Sequence, residues 1–149
     1  MRPALPTVVL AQLVLSSFLC GLIWVVQGVV YPLFSLVGPA EFAVFHAAEM
    51  NRISWIVGPL MSLELILTLV AVAWAPREAV SWIAAGFLGV VWASTAFLQV
   101  PLHQELAVVG YDGERLARLT ATNWVRTLAW TARVAVLWFW VRRLRAPSA

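Results

Sequence analysis

Four apolar stretches, joined by short connections, make up nearly all of the 149 residues. They predict helices at about 5–31, 39–75, 79–100 and 114–144, and each supplies the roughly 20 apolar residues that a helix needs to cross a hydrocarbon core about 30 Å thick. The composition, 62% hydrophobic and 11% charged, also lies outside the range of soluble proteins. We therefore predict an all-α fold: an integral membrane, antiparallel four-helix bundle that forms a single domain over residues 1–149.

The second predicted helix is longer than a bilayer is thick. At a rise of about 1.5 Å per residue, a continuous helix over 39–75 would extend about 54 Å. Its first part, residues 41–54, is therefore expected to project beyond the outer membrane face or to lie along it, with a bend at Gly58-Pro59. In the third helix we expect Pro101 to end or kink the helix, because proline has no backbone N–H to donate.

The basic residues predict the orientation. All ten of them are arginine, and the cytoplasmic flanks of membrane helices carry the excess of positive charge. Five arginines lie on one side of the predicted bundle and three in the connections on the other: Arg2, Arg77, Arg142, Arg143 and Arg145 against Arg52, Arg115 and Arg118. Both chain termini are therefore predicted to be cytoplasmic, in a multi-pass protein of the bacterial inner membrane.

The charge distribution also bounds the partners. The net charge of +3 resides in these flanks rather than in a basic patch with interleaved aromatic residues, so no nucleic-acid partner is predicted. The expected partners are the lipid bilayer and a hydrophobic small molecule, and a homo-oligomer is compatible with the sequence. The single cysteine, Cys20, excludes chemistry that needs an intramolecular disulfide.

Two arginines interrupt the apolar run at 119–141 in the fourth helix. A guanidinium group does not readily lose its proton, so Arg126 and Arg133 each need a partner or water within the bundle. They are seven residues apart and differ by only about 20° around a helix. Glu64, at an intermediate depth on the second helix, is the predicted counter-ion of one or both. Two interpretations stay open: a structural ion pair between the second and fourth helices, or a polar pocket for an anionic or enolic substrate.

A second group of polar residues gathers toward the outer ends of the helices. Gln99 and His103 are four residues apart, and His46 and Glu49 are three, so each pair shares a helix face. His46, Glu49 and His103 are candidate metal ligands, since imidazole and carboxylate groups bind metals. No HxxH, HExxH or CxxC spacing accompanies them, so the cofactor stays undetermined, either none or a metal ion. His103 could equally be a general base or an interfacial residue.

Two segments, 99–106 and 122–127, resemble the signature of a known family. They read Gln-Val-Pro-Leu-His-Gln-Glu-Leu and Thr-Asn-Trp-Val-Arg-Thr. They are similar to the V-P-L-N-x-x-L and W-N-x-x-R-T segments of the anthrone-oxygenase-like family of small four-helix membrane proteins. His103 stands where the family has asparagine, Asn123-Trp124 reverses the family's order, and Arg126-Thr127 keeps its place.

The end of the first helix, Tyr31-Pro32-Leu33, and Arg52 in the second helix also resemble the family. The family includes fungal oxygenases that oxidise anthrones to anthraquinones, although most bacterial members have no assigned activity. The resemblance therefore implies a small four-helix membrane protein, and an oxygenase-like oxidoreductase is the activity that it suggests.

Three classes of function remain in competition. An oxidoreductase for a flat, lipid-soluble aromatic or quinone-like molecule would use Arg126 to stabilise an enolate or phenolate, with His103 or His46 as base. A non-catalytic ligand-binding or accessory subunit would use the same arginines to hold helices or a partner. A transporter is disfavoured because the chain has no inverted repeat.

The predicted site lies between the second, third and fourth helices, toward the outer leaflet. Its residues are His46, Arg52, Gln99, His103, Asn123 and Arg126, with Glu64, Trp130 and Arg133 as a substrate-binding or structural group beside them.

Overall fold

Four long helices follow one another along the chain in a computed structural model, which describes residues 4–145. They are α1 (Leu5–Phe34), α2 (Pro39–Trp74), α3 (Ala79–Val109) and α4 (Gly113–Arg145). Helix accounts for 92% of the structure, and the described residues include no strand, so the all-α prediction is confirmed. Arg2 and the two chain termini lie outside the described residues.

Three of the helices, α1, α2 and α3, are long and apolar enough to cross a membrane. Their outward faces carry large apolar side chains, among them Phe18, Trp55 and Phe97, which are 55%, 77% and 77% exposed. An apolar surface of this extent is compatible with a lipid bilayer. The side chains of Arg126 and Arg133 in α4 are buried, so their charges lie inside the bundle.

Two helices continue through a proline by way of a π-helical turn. Residues Val26–Val30 in α1 and Thr95–Gln99 in α3 are π-helical, and Pro32 and Pro101 each follow two residues later. A proline ring crowds the carbonyl group four residues earlier, and in both helices that carbonyl lies in the wider π-helical turn. Because α3 continues to Val109, the expectation that Pro101 ends the third helix is wrong, whereas a kink there stays a prediction.

The ends of the helices carry the signals expected of them. α2 begins with Pro39, whose missing N–H is not needed in a first turn, and with Glu41 near the positive end of the helix dipole. It passes Pro59 as one helix, and its bend and its extension beyond the membrane stay predictions. Asp112 caps α4, because its Oδ1 accepts the backbone N–H of Arg115 at 2.9 Å.

Helix packing places a polar layer inside the molecule. α4 packs against α1 and α3, and α2 lies against the same two helices. Buried apolar residues form two clusters, one that includes Phe34 and Leu106 and another, toward the opposite end, that includes Leu5 and Trp140. Some of the buried charged and amide side chains lie between these two clusters, and the others lie beside the cluster that includes Phe34. Together they form the candidate site.

Candidate functional site

The deeper of the two arginines, Arg133, is neutralised and fully enclosed. Its Nε donates to Oε1 of Glu64 at 3.1 Å, and neither side chain has exposed surface. The other oxygen of Glu64 accepts the indole N–H of Trp130 at 3.1 Å. Further acceptors around Arg133 come from three helices: Gln12, Ser16, Thr68 and the carbonyl group of Ala84. This arrangement fastens all four helices together, and the predicted pairing of Glu64 is confirmed for Arg133.

Arg126 has a different environment, with neutral partners alone. Its Nη2 donates to the Tyr31 hydroxyl oxygen at 3.1 Å and to Oε1 of Gln99 at 3.2 Å, and its Nε donates to Oδ1 of Asn123 at 2.8 Å. Among the described residues no carboxylate forms an ion pair with it, so the alternative pairing with Glu64 is wrong. A buried cation without a counter-ion attracts a negatively charged or electron-rich group.

Two glutamines from the π-helical segments hold this arginine in place. Gln99 accepts from Arg126 and donates its own amide to Oγ1 of Thr122 at 2.9 Å. Gln27 accepts the amide of Asn123 at 2.9 Å, and Asn123 in turn accepts from Arg126. Each π-helical turn thus aims one amide side chain at α4, where it orients the guanidinium group.

A chain of hydrogen bonds leads away from Arg126 through two histidines. The Tyr31 hydroxyl lies 3.0 Å from Nε2 of His103, and Nδ1 of His103 lies 2.9 Å from Nε2 of His46. The two imidazole rings are stacked, with centroids 5.2 Å apart. We call Tyr31, His103 and His46 the relay chain. Each of its bonds can run in either direction, according to the tautomers of the histidines.

A cavity of about 310 Å³ lies beside Arg126 and receives residues from all four helices. Most of its wall is apolar or aromatic, including Trp92 and Trp130. The ionisable and amide side chains on its wall are those of Tyr31, Glu49, Gln99, His103 and Arg126. An apolar cavity with a few converging polar groups is the usual form of a small-molecule site.

Among the described residues, two polar atoms of the wall have no hydrogen-bond partner, Nε1 of Trp92 and Oε2 of Glu49. Both atoms are buried. A buried acceptor without a donor costs about 1–3 kcal/mol, so a ligand that brings a donor to Glu49 would gain from doing so.

The structure brings together most of the predicted site residues. Gln99, His103 and Arg126 line the cavity, whereas His46 and Asn123 stand behind the wall and contact the residues that line it. Arg52 does not belong to this group, because it is exposed and is not on the cavity wall.

Sequence reasoning missed two members of the wall and one supporting residue. The sequence points to Tyr31 only through the family resemblance and to Glu49 only as a candidate metal ligand. A glutamine in an apolar helix a few residues before a proline was the available signal for Gln27.

The geometry does not support the candidate metal site. The described residues contain no group of three or more His, Cys, Asp or Glu side chains that could hold a metal ion. His46 and His103 direct ring nitrogens at each other, at 2.9 Å, rather than at a common point shared with Glu49.

Comparisons with protein-family models, curated proteins and solved structures found no match for this chain. The resemblance to the anthrone-oxygenase-like family therefore stays a prediction that rests on the segments quoted above.

Proposed function

We propose that the protein is an integral membrane oxidoreductase that binds a flat, lipid-soluble aromatic or quinone-like molecule in the cavity beside Arg126. The observation that carries this proposal is the contrast between the two arginines. Arg133 is paired with a carboxylate and lies away from the cavity, whereas Arg126 has only neutral hydrogen-bond partners among the described residues and forms part of its wall. An uncompensated cation at an apolar cavity suits a ligand that develops negative charge on oxygen.

The cavity suits a ligand that arrives from the lipid. Ser54, Gly58 and Ser62 recur every four residues along α2, line the cavity and are exposed. Their small side chains leave an opening beside α2, through which a hydrophobic molecule could enter without crossing water. The indole rings of Trp92 and Trp130 offer flat apolar surfaces to an aromatic ligand.

The wall supplies the groups for enolate formation. A ligand C–H bond breaks, and its proton passes to the Tyr31 oxygen as the Tyr31 hydroxyl proton passes to Nε2 of His103, which lies 3.0 Å away. The negative charge that forms on the ligand oxygen faces Arg126, whose guanidinium group is already oriented by Asn123. His103 is the base in this scheme, acting through Tyr31.

Molecular oxygen is the proposed oxidant, since it is apolar and dissolves in the bilayer. Oxygen adds to the carbon of the enolate, and the proton returns to the oxygenated product. Overall one CH₂ carbon loses two hydrogens and gains one oxygen atom as a carbonyl group. The second oxygen atom leaves with those hydrogens as water, so atoms and electrons balance.

The proposal places the molecule in a bacterial inner membrane as an antiparallel four-helix bundle, with both termini cytoplasmic and the start of α2 beyond the outer face. Two ion pairs support the antiparallel order. Arg143 near the end of α4 lies 3.4 Å from Glu78 before α3, and Arg115 near the start of α4 lies 3.0 Å from Glu105 near the end of α3.

A purified protein in lipid nanodiscs tests the proposal, with an anthrone as the substrate and air as the source of oxygen. Oxygen uptake and the absorption of the quinone product would be followed together. Arg126→Gln should lower the rate roughly 10²–10³-fold, as loss of one oxyanion donor does. Arg118→Gln is the matched control, because Arg118 is an exposed arginine of the same helix.

The alternative functions predict different results. Binding of the anthrone without oxygen uptake would identify a non-catalytic ligand-binding protein. No binding, by quenching of tryptophan fluorescence, would contradict both proposals for the cavity.

A further inference from the structure

We propose that His46 is the terminal proton acceptor of the relay chain. It holds the transferred proton away from the cavity until a proton is returned to the product. This inference rests on the proposed function and extends it by one residue. His46 is not on the cavity wall, but its Nε2 lies 2.9 Å from Nδ1 of His103, which is. It is therefore a positioning and proton-holding residue rather than one that meets the ligand.

The hydrogen bonds of the relay chain allow a complete transfer. In one arrangement Tyr31 donates to Nε2 of His103, and Nδ1 of His103 donates to Nε2 of His46. When Tyr31 gives up its hydroxyl proton and receives the ligand's, Nε2 of His103 gains a proton and Nδ1 releases one to His46. The Tyr31 O–H bond breaks as an N–H bond forms at Nε2 of His103, and the N–H bond at Nδ1 of His103 breaks as one forms at Nε2 of His46, so His103 ends neutral and His46 ends as the imidazolium ion.

Electrostatics explain why the second histidine is useful. Arg126 and His103 bond the same Tyr31 oxygen, so an imidazolium ion at His103 would stand two hydrogen bonds from the guanidinium cation. Two like charges at that separation repel strongly in a water-poor interior. Passing the proton to His46 moves the charge one ring further from Arg126.

The surroundings of His46 suit a temporary cation. Its ring stacks on Phe42 at a centroid distance of 5.5 Å and an angle of 16°, a geometry that favours a positive charge over an aromatic face. Glu49, three residues later on α2, presents a carboxylate on the same side of the helix. The side chain is only 2% exposed, so burial by itself disfavours the charge and these two neighbours have to offset that cost.

Turnover of two variants tests the assignment. His46→Gln places an amide beside Nδ1 of His103 that can form a hydrogen bond but cannot hold a proton. We expect its kcat to fall roughly 10²–10⁴-fold, the contribution of acid–base catalysis, while KM stays close to that of the wild type. In His46→Ala, added imidazole should restore kcat in proportion to its concentration. Wild-type kcat in His46→Gln would overturn the inference.

A measurement without substrate tests the connection itself. In ¹⁵N NMR spectra of the resting protein, Tyr31→Phe should shift the ring nitrogens of both His103 and His46, because the tautomers of bonded rings change together. Tyr111→Phe is the control, since Tyr111 packs on Phe42 and is not in the relay chain. If Tyr31→Phe shifts only His103, the relay is overturned even in an active protein. A wild-type protein that neither binds nor oxidises the anthrone contradicts the proposed function instead.

Discussion

Replacing Glu64 by glutamine should destabilise the folded protein severely. The change keeps the shape of the side chain but removes the carboxylate that neutralises Arg133, and neither side chain has exposed surface. Removing one partner of a buried ion pair costs about 3–5 kcal/mol, because the remaining charge stays buried without compensation. At about 1.4 kcal/mol per factor of ten, the folding equilibrium should fall between roughly a hundredfold and several thousandfold.

A second substitution in the same background checks the cause. Arg133→Met added to Glu64→Gln removes the stranded cation, and deleting both charges of a buried pair is far less costly than deleting one. The double variant should therefore be more stable than Glu64→Gln alone. It should stay below the wild type, since Gln12 and Thr68 lose the donor that they share.

The assay is unfolding in mixed micelles at increasing fractions of sodium dodecyl sulfate, followed by tryptophan fluorescence. Glu105→Gln is the matched control, because it makes the same change at a carboxylate that is 48% exposed and pairs with Arg115. An exposed pair contributes only about 0–1 kcal/mol. If Glu64→Gln unfolds at the same point as Glu105→Gln, the argument that the buried ion pair stabilises the bundle is refuted.

Three further outcomes follow from the same contacts. Arg126→Gln should leave the free energy of unfolding unchanged or raise it by about 1 kcal/mol, because the substitution removes a buried cation that has no counter-ion. The same micelle titration measures this free energy. A loss of stability as large as that of Glu64→Gln would contradict the prediction. Gly58→Leu should slow ligand association at least roughly tenfold in stopped-flow fluorescence, because it fills the opening beside α2 at a position where a Cβ atom meets nothing within 4 Å. Gly21→Leu, equally unobstructed and away from the cavity, should not slow it. The backbone N–H of Arg115 lowers the pKa of the Asp112 carboxyl group in the folded state. The ionised Asp112 carboxylate therefore stabilises the fold above the ordinary carboxyl range near pH 4, and this stabilisation is lost as the pH falls below that range. Asp112→Asn should flatten that part of the stability profile, measured as unfolding against pH.

The four helices and the all-α class could be predicted from the sequence because helix formation in a long apolar stretch depends on that stretch by itself, although only α1, α2 and α3 are apolar enough to cross a membrane. An apolar stretch of about 20 residues becomes a helix whatever its neighbours are. A pairing of Glu64 with Arg126, Arg133 or both could also be predicted, since the regular rise and rotation of a helix give depth and direction from residue number alone, but the choice of Arg133 could not. The capping of α4 by Asp112 could be predicted as well, because it joins two residues that are only three positions apart in the sequence.

The continuation of α3 beyond Pro101 could not be predicted in this way. Proline's missing donor is a local fact, but its consequence depends on whether the preceding turn can widen. Here a π-helical turn does so and also rotates Gln99 toward α4, where its amide contacts Arg126.

The cavity and the different environments of Arg126 and Arg133 were decided by tertiary structure. On a helical projection the two arginines are equivalent, seven residues apart on one face. What separates them is the position of α2, which brings the carboxylate of Glu64 to Arg133 and leaves a space beside Arg126. Tyr31 reaches that space from α1, where it lies four residues after the buried Gln27. Such contacts depend on the relative rotation and separation of four helices, which arise from the packing of all their side chains together and not from the sequence of any one of them.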